Sequence, residues 1–173
     1  MMRQLTRTLA FVTETPHWLT PEEQRAWRGF VRMNAILLDR LAQVQAAAGL
    51  SGADYVVLVE LTDRPEGRVR FQELARAVEW EKSRMSHHIA RMAKRGLVVR
   101  ETCAEDGRGA VIAITPAGRE AIERAAPSHV ATVRRLFIDL LTPAELVVLT
   151  HVSERVLERM ERESDGASGA DGG

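Results

Sequence analysis

From Pro21 onward the apolar residues follow helical spacing almost to the end of the chain, with one interruption where the pattern turns to short β-favouring runs. Trp27, Phe30, Val31, Leu37, Leu38, Leu41 and Val44 keep an approximate helical period, predicting one long helix from about Pro21 to about Ala48. Thr20-Pro21-Glu22-Glu23 starts it as a capping box with proline at the first helical position, and Gly49 is a left-handed stop. Ser51 opens a second helix whose Tyr55–Leu61 stretch is apolar nearly all round and so belongs in a core; Asp63-Arg64-Pro65-Glu66-Gly67 ends it as a turn. Val69 adds one or two extended residues, and Phe71, Leu74, Ala75 and Val78 outline a short third helix. After Gly96, Leu97–Thr102 and Val111–Thr115 read as the strands of a hairpin with a polar, glycine-bearing tip. Thr115-Pro116 launches a helix through Val130, Leu136 and Leu140, which Pro127 should kink or divide. Thr142-Pro143-Ala144-Glu145 starts the last one, with Leu146, Leu149, Val152, Val156, Leu157 and Met160 at helical spacing. Residues 1–17 carry no convincing cap, and their structure is left open. The polar run from Ser164 to Gly173 reads as a disordered tail.

The segment Trp80–Gly96 stands apart. As a helix it places Met85, Ile89 and Met92 on one face and Arg84, His88, Arg91 and Arg95 in a second stripe about a quarter-turn away. Lys82, Arg84, Arg91, Lys94 and Arg95 meet no acid between them, and Ser83, Ser86, His87 and His88 sit among them. Such a face suits a polyanion groove, because Lys and Arg neutralise phosphates, Arg forks onto guanine edges and short polar side chains donate at close range. The plainer reading is a solvated basic helix face.

Composition sharpens this. The 173 residues are 45% hydrophobic and 28% charged, enough for a real core in one domain-sized chain, and 24 basic residues cancel 24 acidic ones. Nucleic-acid affinity would therefore need locally segregated charge, which the segment from Lys82 provides. A single cysteine, Cys103, excludes an intramolecular disulfide framework. No secretory leader pattern and no membrane-length apolar run is present, so a cytoplasmic protein without a membrane role is expected.

Two short helices, the second basic, followed at once by a hairpin with an arginine at its tip, are the layout of a winged helix-turn-helix. Leu74-Ala75, Ser83, Ser86, Gly96-Leu97-Val98-x-Arg100, Asp106-x-Arg108-Gly109 and Ile114-Thr115-x-x-Gly118-Arg119 together resemble the signature of the MarR (multiple-antibiotic-resistance regulator) family. Gly107 stands where that family very often has a second basic residue, leaving Arg108 alone at the wing tip.

The resemblance implies a mainly α fold with a small β-hairpin wing. Its parts would be an N-terminal segment and dimerisation helix (1–50), a DNA-binding lobe (51–115), C-terminal dimerisation helices (116–163) and the tail (164–173). It implies a homodimeric transcription regulator, a repressor released by a small aromatic effector, on a pseudo-palindromic double-stranded operator. Lys82, Ser83, Arg84, Ser86, His87, His88, Arg91, Lys94 and Arg95 would lie in or beside the major groove and Arg108 in the minor groove. The length and apolar content of the terminal helices support a two-fold interface independently, against a monomeric bundle. The other readings are a winged-helix interaction module for an acidic partner protein and a small enzyme.

No enzyme signature supports the last of these: the chain has neither a nucleophile elbow nor a phosphate-binding glycine loop, and no cofactor is expected. Adjacent His87 and His88 diverge by about 100° and cannot easily share a metal. His129, His151 and Glu154 lack zinc spacing, and ordinary hydrogen-bonded histidines are the expectation there. Glu101 and Glu105 argue against an activated thiol at Cys103. His17, Trp18 and Trp27 are candidate effector contacts, with core or interface aromatics as the plainer reading of each.

Overall fold

The protein is described by a computed structural model over residues 17–64, 66–102 and 109–170. Cys103, Gly107, Arg108 and most of the hairpin tip lie outside the described residues, as do residues 1–16 and the last three of the tail. The described residues fall into two compact units, divided between Leu37 and Leu38.

The first unit carries most of helix α1 (Pro21–Ala47). Its capping box forms as expected: Thr20 N–H donates to Glu23 Oε2 at 2.7 Å and Glu23 N–H to Thr20 Oγ1 at 3.2 Å. Trp27 and Phe30 stack with ring centroids 5.9 Å apart, and both stay more than half exposed, as do Trp18 and Ile36.

The second unit holds α2 (Gly52–Thr62), β1 (Arg68–Arg70), α3 (Phe71–Ala77), α4 (Lys82–Lys94), β2 (Val98–Thr102), β3 (Ala110–Ile114), α5 (Pro116–Leu136) and α6 (Pro143–Ala170). Its core is the point where α2, α3, α4 and the sheet converge: Leu58, Leu61, Leu74, Met85, Ile89, Met92 and Ile112 are sealed from solvent. Each such side chain contributes about 1.5–3 kcal/mol of burial. The predicted wing hairpin is there, but as a three-stranded sheet in the order β1-β3-β2, because Arg68, Val69 and Arg70 pair antiparallel with Ala113, Ile112 and Val111.

The glycine-bearing motif around this sheet has a direct physical cause. Gly96 adopts φ 73° and closes α4, its amide bonding Ala93 O at 2.9 Å and that of Leu97 bonding Met92 O at 3.0 Å. Thr115 caps α5 by accepting from Gly118 N–H at 2.9 Å and donates to Gly96 O at 2.5 Å. A Cβ at Gly118 would stand 2.1 Å from Leu97 O. The string Gly96-Leu97 through Thr115-x-x-Gly118 is therefore one joint, fixing the wing base and the start of α5 to the end of α4.

Of the two outcomes expected at Pro127, a kink or a division, division does not occur: α5 runs unbroken to Leu136, turns at Phe137 and ends in a 3-10 turn, Ile138–Leu140. Pro127 and Glu123, whose carbonyl loses its partner, are both on the exposed side, where water can replace the missing bond. The disordered tail expected from Ser164 is not seen over residues 164–170, where the backbone continues α6. Extending an existing helix costs only propagation, not a new nucleus, so weak helix formers can follow a strong segment.

Candidate nucleic-acid interface

Met85, Ile89 and Met92 seat α4 on the core as the spacing requires. With about 100° per residue, the side opposite them is centred near Ser83, with His87, Ala90 and Lys94 within about 40° of it and Arg84 and Arg91 about 80–100° round one flank. Lys82, Ser83, Arg84, His87, Arg91 and Lys94 are all exposed and Ser86 is half-buried, so most of the expected contact set does face outward. Arg84 lies over the Trp80 ring, 4.3 Å from its centroid, which gives its charge a fixed seat at the start of the helix.

His88 does not belong to that outward face. It is 5% exposed, edge-on to Trp80 with centroids 5.2 Å apart. Its Nε2 lies 3.2 Å from Asp54 Oδ1, within ion-pair range though too oblique to count as a directed hydrogen bond, and its Nδ1 is 2.9 Å from Arg91 Nη2. The helical wheel shows why: the position borders the apolar arc, and a partner on α2 turns it inward. Burial pushes the His88 pKa down; Asp54 opposes this, while Arg91 and Arg84 add to it, and the net shift is downward.

Arg95 is likewise engaged. Its guanidinium donates to Asp54 Oδ2 and to Gly49 O, both at 2.6 Å, tying the end of α4 to the loop between α1 and α2. Asp54 is 2% exposed and closes the α2 capping box with Ser51 at 2.8 and 3.1 Å. Burial raises its pKa, but the Ser51 amide, Arg95 and the Ser51 hydroxyl outweigh that and leave it below the ordinary value.

Asp54, Trp80 and Ala90 are the site residues that sequence reasoning missed. The first had a local signal, the Ser51-x-x-Asp54 capping pattern; its ion pairs to residues 34 and 41 positions later had none. On the wing, Arg68 pairs with Glu101, and Arg100 lies 5.3 Å over the Phe71 ring.

A separate cavity of about 500 Å³ within the second unit is lined by Leu38, Leu41, Gln45, Tyr55, Val56 and His129 among others. The His129 ring stacks on Tyr55 with centroids 4.3 Å apart, and its Nδ1 is 3.3 Å from Gln45 Nε2. His17, Trp18 and Trp27 are exposed residues of the first unit. Among the described residues no cluster of three potential metal ligands occurs, and no single helix is long and apolar enough to cross a membrane.

The model of the MarR family matches residues 48–109. No curated protein matches the chain significantly. The structure is similar to that of AbsC, a MarR family transcriptional regulator from Streptomyces coelicolor, at 40% identity and a TM-score of 0.82, covering 84% of this chain and 99% of AbsC. It is also similar to Sco3205, a MarR family transcriptional regulator from the same organism solved in complex with DNA, at 39% identity and a TM-score of 0.80, covering 83% and 94% of the two chains. A more distant likeness, 25% identical with a TM-score of 0.63 and covering 73% and 87%, is to CouR from Rhodococcus jostii RHA1 bound to p-coumaroyl-CoA. The core that seats α4, the wing joint and these similarities over nearly whole chains lead to one assignment: the chain belongs to the MarR family of transcriptional regulators.

Proposed function

We propose that this chain is a homodimeric, sequence-specific DNA-binding repressor acting in the cytoplasm, with α4 of each subunit in the major groove of one half of a pseudo-palindromic operator. The observation that carries this reading is the outward face of α4. Lys82, Ser83, Arg84, His87, Arg91 and Lys94 project from a helix whose opposite face is locked in the core, with no acid between Lys82 and Arg95. Ser83, His87, Ala90 and Lys94 along the outermost line are placed for base edges, Ala90 being small enough for close approach to a thymine methyl. Arg84 and Arg91 on the flank are placed for phosphates. That Sco3205, with 39% identity, was solved with DNA supports the same role here. Arg108 in the minor groove completes the proposed contact set.

The two-fold partner is a second copy of the chain. Trp27, Phe30 and Ile36 on α1, and Val148, Val156 and Met160 on α6, are each at least 47% exposed, which is more uncovered apolar surface than a stable monomer presents. The effector is a small apolar or aromatic molecule taken into the Leu41–Tyr55–His129 cavity, whose walls are apolar apart from a few polar groups able to orient a ligand. His17, Trp18 and Trp27 then serve as interface aromatics. The test is a mobility assay with duplexes selected from a random pool: a discrete complex of one dimer per duplex is expected, and failure to enrich any sequence would overturn the reading.

A further inference from the structure

Arg91 is exposed, on the DNA-facing flank, yet its guanidinium is hydrogen-bonded to the buried His88. An arginine has only donors, so the 2.9 Å contact requires His88 Nδ1 to be an unprotonated acceptor. The proton of the neutral ring is then on Nε2, the nitrogen that faces Asp54 Oδ1 at 3.2 Å. Asp54 is itself immobilised by Ser51 and Arg95, and Trp80 packs edge-on against the ring. The Arg91–His88 hydrogen bond thus runs toward the ring, and the ring's own N–H faces the Asp54 carboxylate without a directed bond.

We propose that His88 is a positioning residue for operator recognition: backed by Asp54, it holds its ring in the Nε2–H tautomer and presents a fixed acceptor that pre-orients Arg91 for the DNA. This rests on the reading of α4 as the DNA-contacting helix and goes beyond it by naming a residue that never meets the DNA. A plain core role would be filled better by leucine, because a buried imidazole costs desolvation that only its polar partners return. The return here is at the surface. A free arginine side chain gives up rotamer freedom on binding, and one already held in place gives up less. Asp54 on α2 and Arg84 and Arg91 on α4 are the charged groups acting on the ring: burial, Arg91 and Arg84 favour the neutral form, Asp54 opposes them, and the net shift is downward.

The experiment is a double-mutant cycle on a duplex selected by the unmodified protein, with His88→Leu, Arg91→Ala and both together, every variant checked for its thermal midpoint and helical content. The expected result is that R91A weakens binding by about tenfold, that H88L loses nearly as much, and that the double variant is no worse than R91A. R91A should also flatten the log–log salt slope by about 1.8, for one phosphate contact per subunit, whereas H88L, which keeps the charge, should leave the slope nearly unchanged. His88→Asn, which retains an acceptor near the Nδ1 position, should recover part of the loss. Nitrogen-15 spectra of the free protein at neutral pH should show Nδ1 of His88 unprotonated. The proposal is overturned if that nitrogen carries the proton, if H88L binds as well as the unmodified protein while R91A does not, or if the two losses multiply. Failure of R91A to weaken binding would instead count against the proposed seat of α4 on DNA, and the spectra of the free protein keep the two failures apart.

Discussion

Helices α4 and α6 carry apolar stripes of the same kind, yet the chain treats them oppositely. In α4, Met85, Ile89 and Met92 are almost completely buried and the rest of the helix is polar apart from Ala90 and Ala93. In α6, more than twice as long, no described side chain is buried, and Val147, Val148, Val152, Val156, Leu157 and Met160 remain about half exposed. A single chain therefore completes the lobe that presents the cationic face and leaves the apolar face of α6 uncovered. The lesson is a division of energetics: the lobe that carries α4 buries its apolar stripe within one chain, whereas α6 keeps the apolar surface that the proposed two-fold partner would cover.

The sharpest way to break that comparison is to charge each stripe in turn. Val152→Asp with Val156→Asp should leave the lobe folded but yield a species near 19.3 kDa by sedimentation, and operator affinity should fall by about a hundredfold or more as the second half-site is lost. Dimers at unchanged affinity would show that α6 faces water by design.

The wing joint is the next largest effect. Because an added methyl at Gly118 meets a backbone carbonyl instead of a flexible side chain, Gly118→Ala should cost about 3 kcal/mol in chemical denaturation. An effect below about 0.5 kcal/mol, the scale of an ordinary surface change, would mean that α5 can shift away from Leu97.

Acid should act on the lobe through its buried polar groups. Burial holds His88 and His129 below the ordinary 6.5, so in the window below pH 6.5 the unfolded chain binds protons that the folded chain does not, and stability falls with pH. Asp54, also held low, adds its own loss from about pH 3.8 downward. Thermal midpoints between pH 7.5 and 5 should therefore decline, and H88L should decline less steeply; a flat profile in the unmodified protein contradicts this.

The smallest change is a gain. Glu79, between α3 and α4, adopts φ 53°, a conformation that glycine tolerates without strain. Glu79→Gly should raise stability by about 0.5–1 kcal/mol without altering DNA affinity, read from paired denaturation and binding curves.

How far the sequence carried depended on the range of the interaction. Helix starts at Thr20, Thr115 and Thr142 were legible because a cap is decided within four residues, and Met85, Ile89 and Met92 because periodicity is local. The cationic segment was legible as composition, and the glycine motif as a string whose cause, the Leu97–Gly118 contact, emerged only in three dimensions. The inward turn of His88 was not legible. It lies at the border of the apolar arc, where a polar side chain goes either way, and the deciding partner is Asp54, 34 residues earlier. The pairing of Arg95 was not legible for the same reason: its carboxylate partner, Asp54, lies 41 residues earlier. The third strand, β1, is too short for its three residues to announce a pairing with β3.

The most direct test of the central claim, that segregated charge on α4 lets a chain of zero formal charge bind DNA, is the salt dependence of operator affinity. With Arg95 engaged by Asp54 and Gly49, the cations of the described part of the face that no carboxylate engages are Lys82, Arg84, Arg91 and Lys94. If about half of them meet phosphates in each subunit, a dimer contacts roughly four, giving a log–log slope of about −3.6 and a loss on the order of a hundredfold between 50 and 200 mM salt. A slope near zero, at any duplex sequence, would mean that this face of α4 does not meet the phosphate backbone.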